Sequence, residues 1–365
     1  MNSTTESDAD VVVVTGASAG VGRATARAFA EQGAKVGLLA RGEAGLEGAR
    51  QDVEDAGGRA LVVPTDVADS DQVEAAADAV EDAFGPIDIW VNNAMTSVFS
   101  PAAEIEFDEY RRVTEVTYLG CVYGTQTALD HMLPRDEGTI VQVGSALAYR
   151  GIPLQSAYCG SKHAIQGFTE SVRTELIHDD SDVQLSMVQM PALNTPQFEW
   201  VRSRLPDKPQ PVPPIYQPEV AADAIVWASH HNRDELWVGR STAKAILGNR
   251  IIPRQLDNLL ARSGWGSQMV DEPEDPDRAD NLWDPVDDET DYGAHGAFDE
   301  RARSRSYLLW ASMYLPHLLV VAVALVVLVG TAIFEWWRTG DSAGDSESAD
   351  SERRSMQTVL GGSDE

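Results

Sequence analysis

The chain has 365 residues, of which 43% are hydrophobic, so it is long enough to bury the core of one large α/β domain. Its net charge of −30 excludes nucleic-acid-binding proteins, because such a surface repels phosphate. Two cysteines, Cys121 and Cys159, cannot form a disulfide framework, and no Cys/His cluster has metal-ligand spacing. The first ten residues lack the basic start and apolar core of a signal peptide, which predicts a cytoplasmic chain.

An apolar strand followed by a glycine-rich turn opens the predicted domain. Residues 10–15 (DVVVVT) form the continuous apolar run of a strand buried on both faces, and a helix is predicted from residue 20 to residue 32. Small residues between them let backbone N–H groups approach a pyrophosphate at the positive end of the helix. This pattern predicts a dinucleotide site, with an ordinary tight turn as the alternative. The predicted contacts are Gly16, Ser18, Gly20, Val21 and Gly22.

The end of the second predicted strand, residues 35–40, bears on the choice of coenzyme. An acidic residue there would bind the ribose 2′-hydroxyl of NAD, but Ala40 is neutral and Arg41 follows it. Arg23 adds a second cation close to the glycines. We therefore predict a 2′-phosphate site and hence NADP, with solvated arginines as the alternative.

Strands and helices then alternate, which predicts a doubly wound parallel sheet. Asp66 and Val67 follow the third strand, where a carboxylate could meet an adenine amino group. Asn93 and Ala94 follow the fourth strand, where an asparagine can hold the cofactor loop through backbone bonds. The other predicted helices span residues 44–56, 70–84, 107–131 and 219–229, with Ser70 as the cap of the second. The other predicted strands span 60–64, 87–91, 139–144, 184–189 and 236–238.

Three polar residues suggest acid/base chemistry. Tyr158 and Lys162 are four residues apart and share one face of a predicted helix. An ammonium beside a phenol is expected to lower the phenol pKa towards neutrality, although such a pair also occurs on plain helix surfaces. Ser145 follows the fifth strand, where its hydroxyl could hold a carbonyl oxygen. A proline-rich loop over residues 191–218 contains Phe198, Trp200 and Tyr216, which could close over an apolar substrate.

With these pieces in order, residues 8–250 resemble the short-chain dehydrogenase/reductase family. The resemblance rests on TGASAGVG, Asp66, NNA, Ser145, YCGSK and the stretch from Pro191 to Thr195. It implies one Rossmann-like sheet of about seven strands within a catalytic domain at residues 8–262. It also implies that Tyr158 is the general acid/base, that Ser145 orients the carbonyl and that Lys162 holds the nicotinamide ribose. Pro191 and Thr195 would contact the cofactor. Thr117 stands where the family usually has an asparagine that holds a relay water.

The C-terminal third changes composition twice. Residues 263–305 are predicted to be an acidic, solvated linker that Trp283, Tyr292 and Phe298 could pin to the domain. Calcium binding is the alternative, although no loop in this stretch has the spacing of an EF-hand. Residues 306–337 are apolar enough for a transmembrane helix, with a buried hairpin helix as the alternative. Arg301, Arg303 and Arg305 before this run favour a cytoplasmic catalytic domain and an acidic, disordered tail at 338–365 outside.

The sequence therefore predicts a membrane-tethered, NADP-dependent oxidoreductase that interconverts a small, apolar carbonyl compound and its alcohol. Its other predicted partner is the lipid bilayer, and a homo-oligomer is compatible with the sequence. The competing hypothesis is a membrane-tethered dinucleotide sensor or scaffold without turnover, which only Thr117 supports.

The acidic surface predicts that folding needs salt, as in proteins adapted to a saline cytoplasm. Unscreened repulsion among −30 charges opposes the compact state, and molar salt screens it over about 3 Å. We expect the melting temperature of the chain to rise between dilute buffer and molar KCl. Equal melting temperatures in the two buffers would contradict this adaptation to salt.

Overall fold

A seven-stranded sheet forms the centre of the computed structural model, which describes residues 9–314. Its strands are parallel and run in the spatial order β7-β6-β5-β4-β1-β2-β3. In chain order they are β1 Val11–Thr15, β2 Lys35–Ala40, β3 Arg59–Pro64, β4 Ile89–Asn92, β5 Thr139–Ser145, β6 Gln184–Met190 and β7 Glu235–Trp237. The order reverses between β1 and β4, so a crevice opens there at the carboxyl edge, where such folds bind ligands.

Helices cover both faces of this sheet, and the predicted Rossmann-like fold is confirmed. They are α1 Gly20–Ala30, α2 Glu43–Asp55, α3 Ser70–Phe84, α4 Phe107–Thr114, α5 Gly120–Met132, α6 Ser156–His178, α7 Gln197–Trp200, α8 Pro218–Ser229, α9 Gly239–Ile251 and α10 Pro253–Ser263. The central strands have no solvent-facing side because helices pack on both faces; every residue of β1 and β5 is buried.

Two local predictions differ from the structure. The helix predicted over residues 107–131 is divided by a π-helical turn, Glu115–Leu119, between α4 and α5. Such a turn is a single wider turn with i→i+5 bonds inside an otherwise helical segment, which a reading of helix ends and apolar residues does not detect. Helix α3 is capped by Asp69 instead of Ser70, because the Asp69 carboxylate accepts hydrogen bonds from the N–H groups of Asp71 and Gln72.

The acidic stretch predicted to be a solvated linker packs on the domain instead. Residues 9–309 belong to one compact unit. Within it, Met269–Pro273 pairs with Asp207–Pro209, and Ala302–Arg303 pairs with Ile215–Tyr216. Leu282 is fully buried. The packing is possible because arginines of the domain form ion pairs with acidic groups of the extension. Arg202, for example, pairs with Asp280 at 2.8 Å.

Aromatic side chains hold this extension in two of the three predicted places. The Tyr292 ring lies edge-on to Trp200, with centroids 4.8 Å apart, and Phe298 packs similarly on Phe198 at 6.1 Å. Trp283, in contrast, is 48% exposed. Two of these aromatics thus support the extension by packing.

The predicted membrane span receives no support from the described part of the chain. Within residues 9–314, no helix is long and apolar enough to cross a membrane. The apolar run at residues 318–334 and the tail at 338–365 lie outside the described residues.

Candidate active site

A cavity of about 400 Å³ opens at the carboxyl edge of the sheet. One end of it is lined by the glycine turn after β1, and the other end by Ser145, Tyr158 and Lys162. The end of β2 and part of the acidic extension complete its wall. The structure therefore brings the two groups of predicted site residues together in one cavity.

The predicted catalytic residues Ser145, Tyr158 and Lys162 lie close together. Ser145 ends β5, and its side chain forms a hydrogen bond with the Tyr158 phenol from α6. The Ser145 hydroxyl oxygen also accepts the N–H of Leu147 at 3.1 Å, which fixes its direction. The Lys162 ammonium donates to the carbonyl of Val143 at 2.7 Å and lies 5.6 Å from the centre of the Tyr158 ring.

The phenol pKa differs from the sequence prediction. Burial raises the pKa of Tyr158 above its ordinary value, although the hydrogen bond from Ser145 acts in the opposite direction. Burial also lowers the pKa of Lys162 to about 8. Desolvation thus outweighs the attraction that was expected to lower the phenol pKa. In this environment Tyr158 keeps its proton at neutral pH, as a general acid must.

The glycine turn has the geometry that a pyrophosphate needs. Gly16 and Gly20 adopt φ values of +66° and +57°, which residues other than glycine rarely adopt. A Cβ on Gly22 would lie 2.1 Å from the Gly16 carbonyl oxygen. Asn93 donates through its side-chain amide to the carbonyls of Thr15 and Gly16 at 2.9 and 3.2 Å, as predicted for a residue that holds this loop. Most of the predicted contact residues line the cavity here, namely Gly16, Ser18, Gly20, Val21, Asn93 and Ala94, whereas Gly22 packs behind them against Gly16.

The two arginines predicted to bind a 2′-phosphate have protein partners. Arg41 donates to the carbonyls of Asn281 and Trp283, both at 2.6 Å. Arg23 is buried and forms ion pairs with Asp52, at 2.7 Å, and with Asp291. Of the two, Arg41 lines the cavity and Arg23 does not. The sequence pattern missed these partners because all of them except Asp52 come from the distant acidic extension.

Asp66 also has a partner, and it lines the cavity together with Val67. Its carboxylate pairs with Arg112 at 2.6 Å and accepts the N–H of Ala68 at 3.0 Å. These bonds hold the carboxylate at the end of β3. The carboxylate that was predicted to meet an adenine amino group thus has a fixed position in the cavity wall.

Thr117 has a different place from the one predicted. Its hydroxyl donates to the carbonyl of Thr96 at 2.9 Å and accepts the N–H of Thr96 at 3.1 Å. It is fully buried and is absent from the cavity lining among the described residues. The only proton of this hydroxyl is thus engaged, so we assign Thr117 a structural bond instead of a relay.

The substrate end of the cavity is largely apolar. Phe198 and Trp200 line it, as predicted, and so do Pro191 and Thr195. Tyr216 is buried against Gly239 away from the lining, because its backbone joins a short strand pair. An apolar wall beside Tyr158 suits a substrate with a hydrocarbon body.

Sequence reasoning missed the part of the lining contributed by the extension. Asn281, Pro285, Val286 and Asp287 all face the cavity. The acidic composition around them indicated solvent exposure. The only signal for a close approach was Gly42 and Gly45 at the start of α2, where a Cβ would overlap Asp287.

Comparisons with known proteins agree with this architecture. The sequence model for short chain dehydrogenases matches residues 10–205. An uncharacterized oxidoreductase of Bacillus subtilis, YxnA, is 35% identical over 300 residues, which cover 81% of this chain and 83% of that protein. The human dehydrogenase/reductase SDR family member 7 is 41% identical over 170 residues, 46% of this chain and 50% of the human protein.

A solved structure is similar as well. The alcohol dehydrogenase of the archaeon Thermococcus sibiricus, complexed with 5-hydroxy-NADP, is 27% identical with a TM-score of 0.55. The match covers 63% of this chain and 96% of that one.

The pKa of Lys162 predicts how the rate depends on pH. Because burial lowers this pKa to about 8, the ammonium loses its proton as the pH rises through that value. We expect kcat/KM for carbonyl reduction to decrease above about pH 8, and the exposed Lys244→Met variant to keep the same profile. Initial rates between pH 6 and 10 measure this, and a profile that stays flat to pH 10 would exclude a role for the Lys162 charge.

Proposed function

Since the chain belongs to the short chain dehydrogenase family, we propose that it interconverts a carbonyl compound and an alcohol with Tyr158 as the general acid and base. One observation carries this proposal. The Tyr158 phenol, bonded to Ser145, lies in the same cavity as the glycine turn. A dinucleotide held at the turn would therefore extend towards the phenol.

A nicotinamide dinucleotide supplies the hydride that this chemistry needs. In the reductive direction, the carbonyl carbon gains the hydride and its oxygen gains the proton of Tyr158. The Ser145 hydroxyl holds that oxygen, and the developing negative charge on the phenol lies near the Lys162 ammonium. In the oxidative direction the phenolate takes the alcohol proton back.

The raised phenol pKa supports the reductive direction. A phenol that stays protonated at neutral pH can donate its proton without a preceding ionisation. The apolar wall formed by Phe198 and Trp200 supports a substrate with a hydrophobic body, such as a ketone or an aldehyde on a hydrocarbon frame.

The choice between NADP and NAD depends on two opposing sets of groups. Ala40, Arg41 and Arg23 support NADP, and the similar archaeal dehydrogenase holds an NADP derivative. Against them, acidic residues and carbonyl groups of the extension already engage both arginines. A dinucleotide sensor without turnover remains the second candidate function, but the joined Ser145 and Tyr158 favour catalysis.

Removing the phenol hydroxyl tests the proposed function. We expect Tyr158→Phe to lower kcat for ketone and aldehyde reduction by about 10²-fold or more, with dinucleotide affinity unchanged. The matched control is Tyr149→Phe, which removes a phenol hydroxyl bonded to Glu235 outside the cavity and should leave kcat unchanged. Coenzyme oxidation over a panel of carbonyl compounds is the assay. A fully active Tyr158→Phe enzyme would contradict the acid/base role, and a wild-type chain that binds coenzyme without turnover would favour the sensor.

We also propose, from the apolar sequence at residues 318–334, that the chain is anchored in a membrane with its catalytic domain on the cytoplasmic side. Deletion of residues 306–365 should then release an active enzyme from the membrane fraction. Fractionation at high pH, with protease added to intact cells, measures both anchorage and orientation. Full-length protein that washes off at high pH would contradict the span, and a tail protected from the protease would reverse the orientation.

A further inference from the structure

The cofactor end of the cavity is covered by one segment of the acidic extension. We call residues 281–293 the strap. It contains five acidic residues and no basic residue. Near its start, Asn281 and Trp283 bind Arg41 through their carbonyls, and at its end the Gly293 carbonyl accepts the N–H of Gly20 at 3.1 Å. The strap therefore runs from the end of β2 to the start of α1.

The middle of the strap caps the first turn of α2. The carboxylate of Asp288 accepts the N–H of Glu43 at 3.2 Å, and its backbone carbonyl accepts the N–H of Ala44 at 3.2 Å. The carbonyl of Asp287 accepts the N–H of Gly45 at 3.0 Å. Free N–H groups at the start of a helix attract anions. Here the strap occupies the groups that a 2′-phosphate after β2 would use.

The Asp287 side chain of the strap faces the cavity. It is 8% exposed and lines the cavity, yet no group within residues 9–314 donates a hydrogen bond to its carboxylate. Arg41 is close enough to interact electrostatically, but it donates to other groups. The carboxylate thus faces the cavity without a protein donor, so this position suits a ligand that brings one.

The surrounding backbone is shaped around this carboxylate. A Cβ on Gly42 would lie 2.0 Å from Asp287 Oδ1, and a Cβ on Gly45 would lie 2.6 Å from Oδ2. The two glycines lie at the turn from β2 to α2 and therefore mark where the adenosine ribose of a dinucleotide lies in this type of fold. The strap thus places an acid beside the position where the core sequence has the neutral Ala40.

We propose that Asp287 accepts hydrogen bonds from the adenosine ribose hydroxyls, and that the strap in this way selects NAD over NADP. This inference rests on the proposed function. A ribose 2′-hydroxyl supplies the donor that Asp287 lacks, whereas a 2′-phosphate would meet a buried negative charge. Arg23 and Arg41, which the core offers to a phosphate, serve as anchors for the strap instead.

Direct binding of NADH and NADPH to the full-length chain tests this inference. Titrations that follow the fluorescence of each reduced dinucleotide give the two Kd values without any need for a substrate. We expect the wild-type chain to bind NADH at least about tenfold more tightly, which corresponds to one charge-assisted hydrogen bond. Asp287→Asn should change the ratio of the two Kd values by about tenfold or more in favour of NADPH.

Two further variants separate the selective contact from general effects of charge and folding. Glu289→Gln removes one exposed charge from the same strap and should leave the ratio unchanged. Gly45→Ala changes no charge but displaces the Asp287 carboxylate, so it should shift the ratio in the same direction as Asp287→Asn. Melting temperatures close to that of the wild type show that each variant is folded.

The possible results distinguish a failure of coenzyme selection by the strap from a failure of the proposed function. Tighter binding of NADPH by the wild type, or an Asp287→Asn ratio within twofold of the wild type, would overturn selection by the strap and leave the proposed oxidoreductase intact. If Glu289→Gln changes the Kd ratio as much as Asp287→Asn does, the effect comes from the general charge of the strap. That result would likewise overturn selection by the Asp287 contact. If the chain binds neither NADH nor NADPH, the proposed function is overturned as well.

Discussion

Burial of the central sheet on both faces is the constraint on which the rest of this molecule depends. Helices pack against the two faces, so its central strands are apolar and polar groups can reach a ligand only where the strands end. The glycine turn, Asn93 and Ser145 all lie at that carboxyl edge, each at the end of a strand or directly after it. A ligand that spans the edge therefore contacts residues far apart in the chain.

A second constraint is the negative charge of the acidic extension, which a small number of arginines binds to the domain. Arg23, Arg41, Arg112 and Arg202 each bind a group of the acidic extension through a carboxylate or a backbone carbonyl. Three of these arginines lie on the core elements that surround the cofactor end of the cavity. Arg23 and Arg41, which suggest a phosphate site in the sequence, thus bind an acidic segment that covers that site.

Desolvation decides the protonation state of the two candidate catalytic residues, Tyr158 and Lys162. The cavity encloses Tyr158 and Lys162, and burial favours the neutral form of each, raising the pKa of the phenol and lowering that of the ammonium. Ser145 opposes part of this effect by bonding the phenol. A protonated phenol beside a cation close to its titration range is suited to transfer a proton to a carbonyl oxygen and to recover it later.

The sequence by itself determined the sheet, the glycine turn and the proximity of Ser145, Tyr158 and Lys162, because each depends on local periodicity and on spacing within one or two elements. The tertiary structure decided what reaches those elements from a distance. It placed Asp287 beside Gly42, although 245 positions separate the two residues, and it engaged the Thr117 hydroxyl with Thr96. Composition predicted a solvated extension, since composition reports average charge. Whether an acidic segment docks depends on which cations the fold brings together, and that arrangement exists only once the chain has folded.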